Sequence, residues 1–454
     1  MRRRSCALLF LPTLIFGVAA CGGDNSAEPT QPPPAGTTGD TVPLPPSSSS
    51  SAPESTEAGV SALPLRFGSV TERSVDGGAD GRNTTAAVVG MNEFAVDLYR
   101  AVVAEQGGNT IVGPYSATFA LSMIYAGARG QTATEMAQVL HADALDPANW
   151  HEGINAYDLT LDARTAGSPT EWNAANKVWT QPGLALRDEY LDVLTGAYGS
   201  PLAEIDFGAA PDAARELING WINDTTNDLI PELFPAGSFG MNTRMVLVNA
   251  VAMDAPWEFP FDPASTQPAP FTLADGTTVD VPMMHYNEYL PSLWTEDLQA
   301  VELPYGGGAL SMVVIAPSDL AAFEAELTTE SLAEVIDQIQ DGGIHLSLPK
   351  WAARTHVQMN GTLSTLGMPT AFSGAADFSG MVDGGGLYLD QVEHEAMIEV
   401  DEQGTRAAAA TGGEMAVSHG PTIEINRPFL YVIRDQGAGT ILFIGRVTDP
   451  TIAP

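Results

Sequence analysis

The amino-acid sequence predicts a mixed α+β fold, and the order of its segments is the main reason. Segments with helical spacing come first and strand-like segments come later, without the regular alternation of a parallel α/β fold. Two near-continuous apolar runs, residues 245–253 and 310–316, are typical of strands covered on both faces of a sheet. No internal repeat is visible.

Four helices are predicted from apolar residues that recur at helical spacing. In the first of them Phe94, Leu98 and Val102 share one face. Pro114 suits the first turn of the second, because its N–H would have no partner there. The predicted helices cover residues 91–104, 115–128, 132–140 and 212–223.

Seven strands are predicted from apolar and β-branched residues. They cover residues 245–253, 310–316, 344–348, 387–392, 397–400, 422–433 and 440–447. The strand content therefore lies mostly in the second half of the chain.

Residues 1–20 are predicted to be an export signal, since arginines precede an apolar core and a small-residue cleavage site. Cys21 follows directly, which resembles the lipobox of bacterial lipoproteins, where this cysteine becomes the acylated first residue. We expect a lipid-anchored protein on the cell surface or in the periplasm; with an ordinary signal peptide it would be secreted. No later stretch reaches the roughly 18 apolar residues of a membrane span.

Residues 21–85 are rich in Pro, Ser and Thr and show no periodic pattern. Such a segment cannot bury enough apolar surface to offset the entropy of ordering it, so a disordered tether is expected. Residues 86–454 remain as the globular domain. Cys6 and Cys21 are the only cysteines, and loss of Cys6 with the signal leaves no cysteine pair for a disulfide.

The formal net charge is -37, with 56 acidic against 19 basic residues. A nucleic-acid-binding protein needs basic patches, so that class is excluded. The motifs of nucleophile elbows, zinc proteases, phosphate loops and calcium loops are absent from the sequence, and its histidines show no ligand spacing. We therefore expect a protein that is not an enzyme and has neither a cofactor nor a metal.

Residues 402–418 are a run of small residues that precedes a strongly strand-like segment. In extended form one face would carry only uncharged residues, among them Thr405, Ala407, Ala409 and Met415, whereas Arg406 and Glu414 would share the other. Such a segment could enter a sheet as a new strand with its uncharged face inward. A flexible Ala/Gly-rich loop remains the alternative.

Taken in order, these segments resemble the serpin family of protease inhibitors over nearly the whole globular part. The similar pieces are residues 109–116, 126–132, 176–179, 247–250, 257–261, 389–394, 398–402, 426–433 and 441–446. The resemblance implies three β-sheets, about nine helices and an exposed reactive loop. In that family a serine protease cleaves the loop, which inserts into the central sheet and traps the acyl-enzyme.

The resemblance implies a hinge at the start of this loop, which decides whether insertion can occur. Gly404 supplies a flexible turn, Thr405 is the first inward side chain, and the alanines after Arg406 offer no bulk. Arg406 departs from the acidic residue common in the family but would face outward. The hinge residues are Glu402, Gly404, Thr405, Ala407, Ala408, Ala409 and Ala410.

The scissile bond is predicted between Val417 and Ser418, counting back from the following strand. Counting forward from the hinge gives Ser418–His419, and Met415–Ala416 is a further alternative. Apart from Arg406 the loop has no Arg or Lys before Arg427, which argues against a trypsin-like target. An elastase-like or subtilisin-like protease fits a small apolar residue better.

The resemblance also implies two control points in the central sheet. Ser116, Asn249 and His394 match the family's shutter, a buried polar cluster that controls sheet opening, and Gly113 stands where a serine is commoner, which would weaken it. Trp257 matches the breach, where the loop first enters. Ordinary core packing is the alternative for each.

The expected partner is a target serine protease, bound covalently as an acyl complex, and the inhibitor itself is expected to be a monomer. A non-inhibitory binding protein of the same family is the main alternative function. Inhibition of a cysteine protease is another that the loop sequence does not separate.

Overall fold

The computed structural model describes residues 65–75, 81–287, 289–405 and 420–453. Nine α-helices lie within them. In chain order they are α1 (Gly81–Glu105), α2 (Pro114–Tyr125), α3 (Gly130–Val139), α4 (Pro147–Thr165), α5 (Asp188–Tyr198), α6 (Pro211–Thr225), α7 (Leu320–Ala325), α8 (Thr329–Asp337) and α9 (Asn360–Leu366).

The strands of the described residues form three sheets. The central sheet has the order β1 (Leu65–Arg66), β4 (Leu202–Glu204), β3 (Glu171–Thr180), β5 (Met245–Pro256), β14 (Gly404–Thr405), β13 (Val392–Val400) and β12 (Trp351–Gln358). A six-stranded sheet has the order β2 (Thr110–Val112), β17 (Ile441–Val447), β16 (Phe429–Asp435), β10 (Leu310–Pro317), β9 (Leu298–Pro304) and β8 (Ser292–Trp294). A four-stranded sheet has the order β15 (Thr422–Glu424), β11 (His345–Pro349), β7 (Thr278–Tyr286) and β6 (Gln267–Thr272). The α+β class, the three sheets and the helix number expected from the sequence are confirmed.

Strand β5 is buried on both faces, which explains its near-continuous apolar sequence. Leu247 and Val251 face the main core, which the central sheet shares with the six-stranded sheet and with α1 and α2. Val248 and Ala252 alternate with them and face a second core beneath α6, where Ile218 lies. The central sheet is therefore covered by protein on both sides along β5.

The folded part begins earlier than the predicted boundary at residue 86. Leu65 and Arg66 pair with Ala203 and Leu202 as an edge strand, and α1 starts at Gly81. The first turn of α1 is polar and lacks apolar periodicity, so from sequence alone it was indistinguishable from linker. The predicted tether over residues 21–85 is therefore too long at its C-terminal end.

Two predicted strands differ from the structure. Residues 387–391 form no strand, because the strand starts only at Val392, where pairing with β5 begins. The predicted strand 422–433 is two strands in different sheets, β15 and β16. Pro428, which has no N–H for a ladder, lies at the break, and Arg427 there donates to the carbonyl oxygens of Ala316 and Pro317.

Several elements carried too weak a pattern to be predicted, among them β3, β12, α4 and α5. Strand β12, for example, has one buried face and one polar face, and its polar face was not distinguished from loop sequence. Across the described residues, none of the helices combines the length and the apolar character that a membrane span requires.

Candidate functional site

The central sheet is open at one end, between β5 and β13. These strands pair directly and in parallel from Leu247 with Val392 to Val251 with Ala396. Beyond that point they diverge, and β14 lies between them. Thr405 pairs with Ala255 on one side and with Val400 on the other, antiparallel to both strands.

A tight turn brings the chain from β13 into this gap. Gly404 has a φ of +155°, and a Cβ at this position would lie 2.2 Å from the carbonyl oxygen of Ala255. Only glycine fits such a close approach to a neighbouring strand. The Asp401 N–H donates to the Gly404 carbonyl oxygen at 3.0 Å, which closes the turn.

Thr405 is buried, and its hydroxyl lies 2.6 Å from the hydroxyl of Tyr305. Tyr305 in turn stacks on Trp257, with ring centroids 4.7 Å apart and an interplanar angle of 12°. Thr405 therefore points inward, and its polar group has the partner that burial demands.

Trp257 holds the turn through two hydrogen bonds as well as by packing. Its backbone N–H donates to the Gln403 carbonyl oxygen at 2.8 Å, and its indole N–H donates to the Asp401 carbonyl oxygen at 3.0 Å. Both acceptors belong to the turn between β13 and β14. The position that the family resemblance associates with loop entry thus contacts the entering chain directly.

Glu402 fixes the same turn through charge. Its carboxylate lies 2.8 Å from Lys350 Nζ and accepts a second hydrogen bond from the Thr266 hydroxyl at 2.8 Å. Burial acts to raise the pKa of Glu402, but the hydrogen bonds from Lys350 and Thr266 outweigh it and hold this pKa below its usual value. Sequence reasoning did not find Lys350, since it is distant in the chain and carries no motif.

A buried polar cluster lies where β5 and β13 still pair, and the structure brings Ser116, Asn249 and His394 together there. Asn249 Nδ2 donates to Ser116 Oγ at 2.6 Å and to Asn176 Oδ1 at 2.7 Å, and Asn249 Oδ1 contacts His394 Nδ1. The cluster therefore links α2, β3, β5 and β13. From the sequence, Asn176 belongs only to the serpin-like piece at residues 176–179, and that Asn-Lys-Val-Trp motif was the available signal for its place in the cluster.

The hydrogen bonds define the tautomer of His394. The Gly113 N–H donates to its Nε2 at 3.1 Å, so the proton must sit on Nδ1 and be donated to Asn249 Oδ1. Burial, with a smaller contribution from His356, lowers the pKa of His394 to about 4. At neutral pH the ring is uncharged, as this arrangement requires.

The weakening expected at Gly113 stays a prediction, because its contact with the cluster involves only the backbone. Its backbone N–H is itself a member of the cluster, and a Cβ there would lie 2.5 Å from Val251 Cγ1. The packing around Val251 already fills the space that a side chain would need.

The remaining predicted site residues lie outside the described residues. They are Ala407, Ala408, Ala409, Ala410, Met415, Ala416, Val417, Ser418, His419 and Cys21. The described chain resumes at Gly420, where a Cβ would lie 1.4 Å from the Gly343 carbonyl oxygen, and then enters β15. Among the described residues no group of His, Cys, Asp and Glu has the arrangement of a metal site.

Comparison with known proteins agrees with this architecture. The model of the family Serpin (serine protease inhibitor) matches residues 89–450. The leukocyte elastase inhibitor of Bos taurus is 33% identical over 376 residues, which cover 79% of this chain and 97% of that protein. An uncharacterized serpin-like protein of Thermococcus kodakarensis is 35% identical over 368 residues, 79% of this chain and 85% of that protein.

Solved structures show the same fold. The thermophilic serpin tengpin in its native state superimposes with a TM-score of 0.73 at 27% identity, over 84% of this chain and 96% of that one. Thyroxine-binding globulin in complex with thyroxine gives 0.72 at 27% identity, over 81% and 99%. With the family model spanning most of the folded part, the chain belongs to the serpin family.

Proposed function

We propose that this protein inhibits a serine endopeptidase as a suicide substrate. The protease cleaves the loop that follows Thr405, the loop inserts between β5 and β13, and the acyl-enzyme is trapped. The observation that carries this proposal is the position of β14, since Gly404 and Thr405 already form the first two residues of a strand in the gap.

The register of β14 defines where the rest of the loop would go. Because β14 is antiparallel to both β5 and β13, each loop residue after Thr405 would pair with residues one position earlier in both strands. Ala409 would then lie between Val251 and Ala396, the first residues that now pair directly. Insertion beyond Ala408 must therefore separate β5 from β13, and Thr411 would arrive between Asn249 and His394.

The two faces of the inserted strand suit their surroundings. One face of the inserted strand would point to the main core, as Ala255 and Val251 do. It would carry Thr405, Ala407 and Ala409, none of which is charged or large. Ala408 would lie opposite Ala252, on the face beneath α6. A charged residue at one of the inward positions would be buried without a partner.

The energy for trapping comes from the added strand. The intact loop is held at both ends, whereas a cleaved loop can form ladder hydrogen bonds to β5 and β13 and bury apolar surface. About 14 residues of extended chain span roughly 45 Å, so a protease attached to the cleaved end is carried far from its first position. Deacylation needs a finely positioned oxyanion hole and general base, and distortion of either stops it.

The target class is proposed from the loop sequence and from the relatives. Small apolar residues before the proposed bond Val417–Ser418 fit an elastase-like or subtilisin-like pocket, and neither Arg nor Lys lies near it. Relatives that are 32–33% identical are named leukocyte elastase inhibitors. Thyroxine-binding globulin, solved in complex with thyroxine, shares this fold, so a binding protein is the alternative function.

The test is incubation of the purified protein with elastase, subtilisin and trypsin, followed by denaturing electrophoresis. We expect an SDS-resistant adduct with elastase or subtilisin, and N-terminal sequencing of the released fragment identifies the scissile bond. Thr405→Arg should abolish the adduct while cleavage continues, whereas the matched variant Thr405→Ser should retain it. Cleavage without an adduct in the unmodified protein would show a substrate or binding protein instead.

We also propose that the mature protein is a monomer attached to a membrane through acylated Cys21. The support is the predicted export signal over residues 1–20, which Cys21 follows directly, and the sequence after it, which shows no strand or helix pattern. Expression in a bacterial host tests it: mass spectrometry should find the acylated peptide, and Cys21→Ser should release the protein from the membrane fraction. If the unchanged protein is soluble and unacylated, the proposal fails.

A further inference from the structure

Two large apolar side chains are exposed at the end of the central sheet that lies away from the loop entry. Met241 precedes β5 and is 75% exposed, and Tyr388 precedes β13 and is 47% exposed. Because β5 and β13 run parallel, the segments before them lie at the same end of the sheet. Single exposed apolar residues are ordinary, but two beside the proposed path of insertion indicate a contact surface.

A closed turn presents Met241 to solvent. The Gly240 N–H donates to the Thr243 hydroxyl at 3.1 Å, and Arg244 Nη1 donates to the Met241 carbonyl oxygen at 2.9 Å. Thr243 is itself buried, so the turn is fixed to the body of the protein and its apolar side chain points away from it.

Tyr388 is held outward in a different way, by its two neighbours. Leu387 and Leu389 are both buried and anchor the segment on either side of the exposed ring. The Leu389 N–H also donates to the Ala371 carbonyl oxygen at 2.9 Å. Both apolar side chains are therefore presented by anchored backbone.

The register of β14 predicts where the cleaved end of the loop would arrive. Continued along β5, it places Met415 opposite Met245, where β5 begins. Continued along β13, it places Gly413 opposite Val392, where β13 begins. Two residues would then remain between the end of β5 and the proposed bond after Val417, and they span roughly 7 Å. Cleavage at either alternative bond changes this length by only one or two residues.

A protease linked to Val417 would therefore have to touch this end of the sheet. A folded protease is roughly 40 Å across, which is several times the length of chain that would tether it. The segments that precede β5 and β13 flank the point of attachment, so Met241 and Tyr388 would lie against the protease.

We propose that Met241 and Tyr388 form a docking surface for the trapped protease, an inference that rests on the proposed function. The part of the protease next to the acyl bond is the rim of its substrate cleft, and such clefts are lined mostly by apolar side chains. Contact with this rim would bury both residues. It would favour the displaced protease over one that lifts off and recovers its active site.

The test measures the rate at which active protease is released from the purified adduct. The double variant Met241→Ser with Tyr388→Ser should release it about tenfold faster than the unmodified protein, because the apolar contact is lost. Met241→Leu with Tyr388→Phe should release it at the unmodified rate. Phe259→Ser is the matched control, since Phe259 is 48% exposed but follows the opposite end of β5, which the protease has left.

The serine double variant should form the adduct at the unmodified rate and with the unmodified stoichiometry, because both residues lie away from the loop entry. A general loss of stability would change these quantities as well. Thermal melts establish that each variant is folded.

The outcomes separate this inference from the proposed function. Equal release rates in the serine double variant and the unmodified protein would overturn the docking surface and leave inhibition intact. Equally fast release from the Phe259 variant would also overturn it, since the effect would not belong to this end of the sheet. If the unmodified protein forms no adduct, the proposed function fails and the docking surface fails with it.

Discussion

The hydroxyl groups of Thr405 and Tyr305 lie 2.6 Å apart in the core, at the point where the loop enters the central sheet. The chain is therefore fixed in the sheet at Thr405, directly before the segment that we propose as the reactive loop. Tyr305 passes this constraint to Trp257 by stacking, and Trp257 holds the preceding turn by two hydrogen bonds. Hinge and sheet thus form one connected unit.

This contact predicts non-additive effects on stability. Tyr305→Phe leaves the buried Thr405 hydroxyl without its partner, and Thr405→Val does the same to Tyr305, so each should cost about 1–3 kcal/mol. The double variant should cost less than the sum, because no orphaned hydroxyl remains. Chemical unfolding of the three variants measures this; strict additivity would mean that the two groups do not interact.

The sequence predicted the inward position of Thr405 but not the contacts that hold it. Parity along residues 405–417 indicated an inward Thr405, because alternation in a strand is a local property. Lys350, Tyr305 and Asn176 could not be predicted in the same way, since each meets its partner through pairing of segments distant in the chain. The boundary near residue 65 was missed for a similar reason, because a two-residue edge strand is defined only by its partner.

The buried His394 predicts a loss of stability in mild acid. Its pKa falls from an ordinary 6.5 to about 4 in the folded protein, so between these values the unfolded chain binds more protons. The stability it contributes is complete above pH 6.5 and is lost as the pH falls towards 4, by about 3 kcal/mol in total. Protonation of Nε2 would also break its hydrogen bond with the Gly113 N–H.

A second histidine provides the control for this pH dependence. His151 is buried between α4 and α5 and its pKa is also lowered to about 4, but it lies outside the polar cluster. Unfolding between pH 4 and 7 should show a shallower slope in both His394→Gln and His151→Gln. Only the His394 variant should also change the rate of loop insertion. Equal insertion rates in the two variants would mean that His394 does not control the opening of the sheet.

The Glu402–Lys350 pair predicts a charge-reversal rescue. Lys350→Glu places two carboxylates together and Glu402→Lys two ammonium groups, so each should loosen the turn before β14 and lower the melting temperature. The exchange Lys350→Glu with Glu402→Lys should recover part of the loss. Limited proteolysis of the turn, followed by mass spectrometry, reports the loosening. If the exchanged variant is no better than the single ones, the hydrogen bond from Thr266, and not charge, fixes Glu402.

We expect the efficiency of inhibition to depend on the charge of residue 406, which would face outward in the inserted strand. Continuing the register of β14, Arg406 would lie between Asp254 on β5 and Glu399 on β13, on the face away from the main core. An arginine there gains attraction from both carboxylates as the loop inserts, whereas Arg406→Glu would bring three acids together.

In the proposed mechanism, loop insertion competes with deacylation. Slower insertion in the glutamate variant means that more inhibitor molecules are cleaved for each protease molecule that is trapped. The stoichiometry of inhibition measures this ratio, and it should move towards that of the unmodified protein at high salt, which screens exposed charges. The matched variant Arg406→Lys should behave like the unmodified protein, and a glutamate variant with unchanged stoichiometry would mean that the loop enters the sheet in a different register.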